Sequence, residues 1–370
     1  MKQKLVFISS IAAPIQIKFC NALQEYYDAE FWFHTHMGAH RPLWWKIDLC
    51  KNCRVLSNVL FREGKYLSLD IIKELNRFDP DIVVLGGFAF PSNYIAYQWA
   101  KIHKKRTAVF TEISRDKQSN IRTKGVFSRS IRLLYKDIDL VMTTAKEATE
   151  QYRDVFGFGH RVRTVQYPSD IDEHLKHPLR KKKKNGYVFL FANRLVEIYD
   201  PLLAIDIFDV VQKRHPQSTL RMNASGNLRQ VCEAKIREKG LLKQITFLEN
   251  IQSWNDLHQI YRTSDILLLP ANFSAGNFTI VESMASGMGI IISNRIIGIG
   301  ASDIVNNKNG FLCNPNIEEF VAATENYFHD ETLLQKHGQI NKTISEKYSM
   351  AATAAMWYDI LSSIPFPNNE

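Results

Sequence analysis

Apolar runs of four to six residues alternate with amphipathic stretches from the start of the chain to about residue 165. Residues 4–9 read as a buried strand. Residues 16–27 read as a helix, with Phe19, Leu23 and Tyr26 at helical spacing. The pattern continues with a strand over 30–34, a helix over 66–77 that Asp79-Pro80-Asp81 stops, and a strand over 82–85. It then predicts a helix over 93–103, a strand over 106–111, a helix over 128–136, a strand over 140–143, a helix over 147–155 and a strand over 162–165. Several strands are apolar throughout instead of alternating, which is the signature of parallel strands covered on both faces. Strand and helix in strict alternation predict a doubly wound α/β sheet.

Residues 167–184 break the pattern with two prolines, several charges and a basic run at 180–184. The alternation restarts with a strand over 187–192. Helices follow over 201–214, 228–239, 254–263 and 279–286, and strands over 219–223, 244–248, 266–269 and 290–293. The predicted organisation is an N-terminal Rossmann-like domain over 1–168, a linker over 169–186, a second Rossmann-like domain over 187–347, and a helix with its tail over 348–370. Met356, Trp357, Ile360 and Leu361 make the apolar face of that last helix. Doubly wound sheets bind ligands at the carboxyl ends of their strands, so two of them in tandem predict a ligand cleft.

A length of 370 residues agrees with two cores. The longest apolar stretches, 82–90 and 266–270, fall far short of the ~18 residues of a membrane span. The apolar run after Lys2 and Lys4 is about five residues, too short for a signal peptide's core. With five scattered cysteines, an odd number in a chain large enough to need no staples, the expected compartment is the cytoplasm. Cys50 and Cys53 form a lone CxxC with no second ligand pair in the sequence, so they read as structural. Charge changes the picture more. Residues 1–184 hold 32 Lys and Arg against 19 Asp and Glu, whereas residues 185–370 hold 15 against 19. A basic first half implies an anionic surface as partner. No nucleic-acid module is recognisable, so nucleic acid is not expected. The inner face of the cell membrane is then the anionic surface expected for a peripheral protein.

The chemistry concentrates in residues 267–315. A strand ends at Pro270, and a loop of Ser274, Ala275, Gly276 and Asn277 runs into a helix that bears Phe278, Thr279 and Glu282. Free N–H groups at such a helix start suit a diphosphate. A carboxylate one turn in suits a ribose diol, although an ordinary turn with a solvated glutamate has the same pattern. Glu282-Ser283-Met284-Ala285-Ser286-Gly287 resembles the donor-site signature of retaining family-four (group 1) GT-B glycosyltransferases. Around it, the segment Phe191 to Val196 (FANRLV) is similar to that family's Gly-Arg-Leu motif. Tyr167-Pro168-Ser169-Asp170-Ile171-Asp172 resembles its linker, Asn223-Ala224-Ser225-Gly226 its next glycine loop, and Gly300 to Leu312 its later glycine and Asn-Gly-Phe elements. The resemblance covers residues 165–362 in order and spacing.

The resemblance implies a GT-B fold and sugar transfer from a nucleotide-sugar donor to a glycan or lipid-linked acceptor. It implies surface polysaccharide synthesis, retention at the anomeric carbon, and no cofactor or metal. It places Arg194, Gly226, Gly276 to Thr279 and Glu282 at the donor. Ser274 stands where the family has its first Glu, at the donor sugar with a catalytic part. Tyr199 stands where a phosphate-binding Lys is expected. These two departures set a second reading beside the enzyme, a non-catalytic GT-B subunit that binds nucleotide or glycan. Ala12 and Ala13, after the first strand, correspond to cleft lining. Glu112 falls near the family's catalytic His, where it would orient or deprotonate an acceptor hydroxyl or stand as an ordinary solvated glutamate. Arg41 and Trp44 make a cation–aromatic pair for a sugar ring, a membrane interface or core packing. His34, His36 and His40 lie close in sequence, but metal is not expected there. The Asp-x-Asp pairs at 79, 137 and 170 read as structural. Residues 122–136, basic with interleaved apolar side chains, read as a membrane-facing segment or as a solvated helix.

Overall fold

The computed structural model describes residues 1–36, 48–62, 65–115, 120–180, 186–274, 278–297, 304–330 and 332–365. The chain forms two compact units, one of Met1–Pro168 with Met350–Glu370, the other of Ser169–Ser349.

In the first unit the strands are β1 (Lys4–Ile11), β2 (Asp28–Thr35), β3 (Cys53–Val55), the antiparallel pair β4 (Asn58–Arg62) and β5 (Lys65–Ser68), β6 (Ile82–Gly86), β7 (Arg106–Thr111), β8 (Leu140–Thr143) and β9 (Val162–Thr164). Seven of them form one parallel sheet in the order β3-β2-β1-β6-β7-β8-β9. Its helices are α1 (Pro14–Leu23), α2 (Ile71–Phe78), α3 (Pro91–Ile102), α4 (Val126–Leu134) and α5 (Lys146–Glu150). The strand order reverses between β1 and β6. There the Asp81 carboxylate accepts the Lys4 N–H at 2.8 Å. Asp139 likewise accepts the Thr107 N–H and hydroxyl, each at 2.7 Å. These aspartates are structural, as their place at strand starts implied.

Two expectations are corrected here. Residues 66–77 are not one helix. Tyr66 is buried and stacks on His34 at 5.1 Å in β5, and α2 begins only at Ile71. Asp70 decides the boundary, because it accepts the Ser68 hydroxyl at 2.6 Å and the Ser57 N–H at 2.9 Å. Such side-chain bonds compete with helix formation. Residues 147–155 likewise divide into α5 and a π-helical turn, Gln151–Val155.

In the second unit the elements are α6 (Asp172–Leu175), β10 (Val188–Phe191), α7 (Pro201–Arg214), β11 (Thr219–Asn223), α8 (Arg229–Glu238), β12 (Ile245–Leu248), α9 (Trp254–Arg262), β13 (Ile266–Leu269), α10 (Phe278–Ala285), β14 (Gly289–Ser293), β15 (Phe311–Cys313), α11 (Ile317–His329) and α12 (Leu333–Ser345). Its six-stranded parallel sheet runs β12-β11-β10-β13-β14-β15 and reverses between β10 and β13. Asp265 accepts the Val188 N–H across that junction at 2.8 Å.

The segment expected as a linker is built into this second unit. The Ser169 N–H donates to Tyr348 O at 2.8 Å. Lys342 Nζ donates to Leu175 O at 2.6 Å and also to His177 O. Arg180, the first residue of the basic run, is buried. It donates to Ser264 O at 2.7 Å and to Tyr261 O at 2.5 Å, meeting the carbonyl groups at the end of α9. A cation at a helix C-terminus is stabilised by those carbonyls, so this arginine is a cap and not an exposed charge. Lys181–Lys184 lie outside the described residues.

The final helix, α13 (Met350–Ser362), belongs to the first unit and packs on α1. Trp357 is fully buried there, with ring centroids 5.6, 5.0 and 5.1 Å from Phe7, Phe19 and Phe110. Trp357→Ala is expected to cost the first unit about 3–5 kcal/mol, read by denaturant unfolding. A loss under about 1 kcal/mol would place this helix off the core.

Candidate functional site

A doubly wound sheet exposes backbone at the strand ends where its order reverses. In the second unit that place is the pair β10 and β13. Beyond β10 the chain turns through Asn193 and Arg194. The Leu195 N–H donates to Ser225 O at 2.7 Å, and the Leu228 N–H to Leu195 O at 2.9 Å, so the two loops lie backbone on backbone. Gly226 makes this approach possible. Its φ is +140°, and a Cβ there would sit 2.2 Å from Leu195 O. The clamped loop leaves Arg194 exposed. Among the described residues, none forms an ion pair with its guanidinium.

Tyr199 lies half-buried in the 3-10 turn Glu197–Tyr199. Asp200 follows with φ 49° and caps α7 by accepting the Leu203 N–H at 3.1 Å. Its other oxygen accepts from Asn272 Nδ2 at 3.1 Å, and the Asn272 N–H donates to Ile198 O at 2.9 Å. The loop after β13 is thereby tied to the loop after β10. Ser274 in that loop is buried, and its carbonyl accepts the Ile297 N–H at 3.0 Å. Gly276 and Asn277 lie outside the described residues.

Phe278 opens α10, with Thr279 and Glu282 one turn apart on one face. Both meet the hydroxyl of Tyr261, a buried residue of α9. The Tyr261 hydroxyl donates to Glu282 Oε2 at 2.5 Å, and Thr279 bonds the same group. Burial pushes the Glu282 carboxyl up to about 7. The bond from Tyr261 opposes the shift and the nearby Asp170 carboxylate adds to it. Behind Tyr261 the His174 ring stands edge-on at 4.9 Å. His174 Nδ1 and His177 Nδ1 lie 2.9 and 3.2 Å from the Ser286 hydroxyl. Burial lowers these imidazoles to about 3 and about 4, so both are neutral. Sequence reasoning missed Tyr261 and His174. Tyr261 falls four residues after Leu257 in a helical pattern and reads as packing, and His174 lay in the expected linker.

The remaining predicted residues lie in the first unit. Glu112 follows β7 and reaches solvent, yet incomplete hydration pushes its carboxyl up to about 7. The segment after it is held by Gln151, whose side chain accepts the Ser114 N–H at 2.8 Å and donates to Ser114 O and Arg122 O, each at 2.9 Å. Ala12 is buried in the core, and Ala13 caps α1. His34 is buried, 3.5 Å from Asn93 Oδ1, while His36 is exposed. Arg41, Trp44 and His40 lie outside the described residues.

The raised Glu282 carboxyl gives a stability prediction. The unfolded chain ionises near 4.5 and the folded chain near 7. The unfolded state therefore loses its proton first, and stability falls as pH rises across that window. Glu282→Gln keeps an acceptor for Tyr261 without the charge. It should match the parent at pH 4 and exceed it at pH 8 by about 2 kcal/mol, allowing for the carboxyl's partial exposure. Equal unfolding midpoints at both pH values would mean an ordinary carboxylate.

Residues 172–344 match the family described as glycosyl transferases group 1. The chain is 25% identical over 178 residues to an uncharacterized glycosyltransferase of Haemophilus influenzae, covering 48% of this chain and 47% of that protein. It is 23% identical over 249 residues to the alpha-1,3/1,6-mannosyltransferase ALG2 of Mus musculus, covering 61% and 59%. It spans about half the length of the curated relatives it matches. Among solved structures, HepE of Anabaena in complex with UDP and glucose superposes with a TM-score of 0.72 at 15% identity, over 98% of this chain and 100% of that one. A glycosyltransferase of Rickettsia africae gives a TM-score of 0.75 at 14% identity, over 98% of each chain. These likenesses establish the GT-B fold. The family match covers residues 172–344, a little under half of the chain.

Proposed function

We propose that the protein transfers a sugar from a nucleotide-sugar donor to a glycan or lipid-linked acceptor, with retention at the anomeric carbon, in surface polysaccharide synthesis. One observation carries the reading. At the reversal point of the second sheet, Arg194, with no ion pair among the described residues, stands on a clamped loop, and the α10 carboxylate Glu282 is held by Tyr261. Breaking a nucleotide–sugar bond leaves a diphosphate, which needs positive charge or N–H donors as it departs. Arg194 supplies the charge and the start of α10 the N–H groups, without a resident metal or cofactor. Glu282, once ionised, accepts the ribose hydroxyls. Ser274 and Tyr199 border the donor with neutral side chains. Glu112, just after β7 in the first unit, is the base proposed for an acceptor hydroxyl. HepE is seen with UDP and with UDP-glucose, which makes uridine diphosphate the first nucleotide to try.

The acceptor side is proposed to lie at an anionic membrane. Val126, Phe127, Leu133 and Leu134 on α4 are exposed among Arg122, Lys124, Arg129, Arg132 and Lys136. Apolar side chains among cations suit the headgroup region. Leu133→Glu should cut cosedimentation with vesicles of phosphatidylglycerol while leaving the fold intact. Unchanged binding would remove α4 from the contact.

The deciding experiment is a thermal-shift screen against UDP, GDP, ADP, CMP and their sugar conjugates. A ligand at 100 times its Kd stabilises by about 2.7 kcal/mol, so a shift with one nucleotide family names the base. Arg194→Ala should weaken the nucleoside diphosphate about 10- to 100-fold, the worth of a charged hydrogen bond, and leave the nucleoside unaffected. Equal losses would refute its phosphate role. No shift with any nucleotide would favour the non-catalytic reading.

A further inference from the structure

The first unit gathers three of the chain's five cysteines. Cys20 lies on α1, and Cys50 and Cys53 flank the turn that leads into β3. The fold brings their three sulfurs within 4.8 Å of one another, all as free thiols. The Cys53 N–H donates to Cys50 O at 2.9 Å and closes that turn, and the Phe31 N–H holds Asn52 O at 2.9 Å. The turn is thus fixed to β2 by backbone bonds. Cys20 is wholly buried and Cys53 nearly so, while Cys50 is half-buried, which leaves the group open on one side. Gln24 Nε2 stands 3.9 Å from the Cys20 sulfur and is itself anchored to Ala29 O at 2.6 Å, the kind of outer hydrogen bond that orients a thiolate ligand. As mere packing, three thiols would have only weak acceptors, for Cys20 the carbonyls of Ala29 and Asn52 at 3.8 and 3.9 Å.

We propose that Cys20, Cys50 and Cys53 form a three-thiolate site for a thiophilic divalent cation of the zinc type, with water in the fourth position on the Cys50 side. Tetrahedral zinc–sulfur bonds of about 2.3 Å set the sulfurs roughly 3.8 Å apart, so sulfurs within 4.8 Å of one another need close by no more than about 1 Å. Each thiol gives its proton to solvent as its metal–sulfur bond forms. The ion joins α1 to β3, the last strand on that side of the sheet.

The test uses the full chain, reduced and stripped with a chelator, then titrated with Co2+ and back-titrated with Zn2+. One equivalent of Co2+ should produce sulfur-to-cobalt charge-transfer absorption in the near ultraviolet that Zn2+ abolishes, and Zn2+ should raise the unfolding temperature. Cys20→Ser and Cys50→Ser should each weaken binding at least tenfold. Cys232→Ala, at a buried thiol outside the group, should not. Circular dichroism of each variant separates lost binding from lost fold, and Cys50→Ser, at the half-buried position, is the variant to rely on if Cys20→Ser unfolds. The proposal is overturned if the reduced protein shows no thiolate band at one equivalent, if the folded Cys50→Ser variant binds like the parent, or if the three thiols only form a disulfide and take up no metal after reduction.

Discussion

Parallel strands that are neighbours in space but distant in sequence have no turn to set their register. In both sheets an aspartate does this at the point of reversal. Asp81 precedes β6 and takes the N–H at the start of β1, and Asp265 precedes β13 and takes the N–H at the start of β10. These N–H groups stand at strand starts, and an unmet buried N–H is costly. A charged acceptor makes the stronger bond. The registers that follow, Leu5 opposite Ile82 and Phe189 opposite Ile266, fix where the strands end. In the second unit this determines that the loops after β10 and β13 emerge side by side. The bonds from Asn272 to Ile198 and Asp200 are possible only because of that register.

Downstream of this junction, the residues proposed to hold the donor carry a cost in stability. Glu282 lies where burial opposes its charge, and the Tyr261 hydroxyl offsets part of that cost. Neutral His174 and His177 close the space behind Tyr261 without adding a cation that would neutralise the carboxylate. Arg194 is the complement, a cation with no carboxylate paired to it among the described residues. Such an arrangement is what the proposed ligand, with both a diphosphate and a diol, would call for.

Features that depend on neighbours in the chain were legible from sequence. Helix 201–214 was read with its exact ends, because Asp200 caps it, Pro201 starts it and its apolar positions keep helical spacing. The central strands of both sheets were read because they are apolar throughout. What escaped depends on partners far away in sequence. The helical pattern over 66–77 gave no hint that Asp70 would bond to Ser57 and hold residues 65–68 extended. Arg180 looked like the head of a solvated basic run until the carbonyls of Tyr261 and Ser264 came to it. Gly226 and Glu282 could be placed through family likeness, but the reasons for them, the approach of Leu195 and the hydroxyl of Tyr261, exist only in the folded chain. The CxxC looked solitary because its third sulfur comes from a helix about thirty residues earlier.

The grouping of α13 with the first unit means that the second unit is an insertion, with its ends joined by the bond from Ser169 to Tyr348. During synthesis the ribosome must release all of that insertion before Trp357 can reach Phe7, Phe19 and Phe110. The N-terminal sheet, though made first, is completed last. Until then it presents an aromatic groove to the chaperones that guard nascent chains, while the later-made unit is already free to fold.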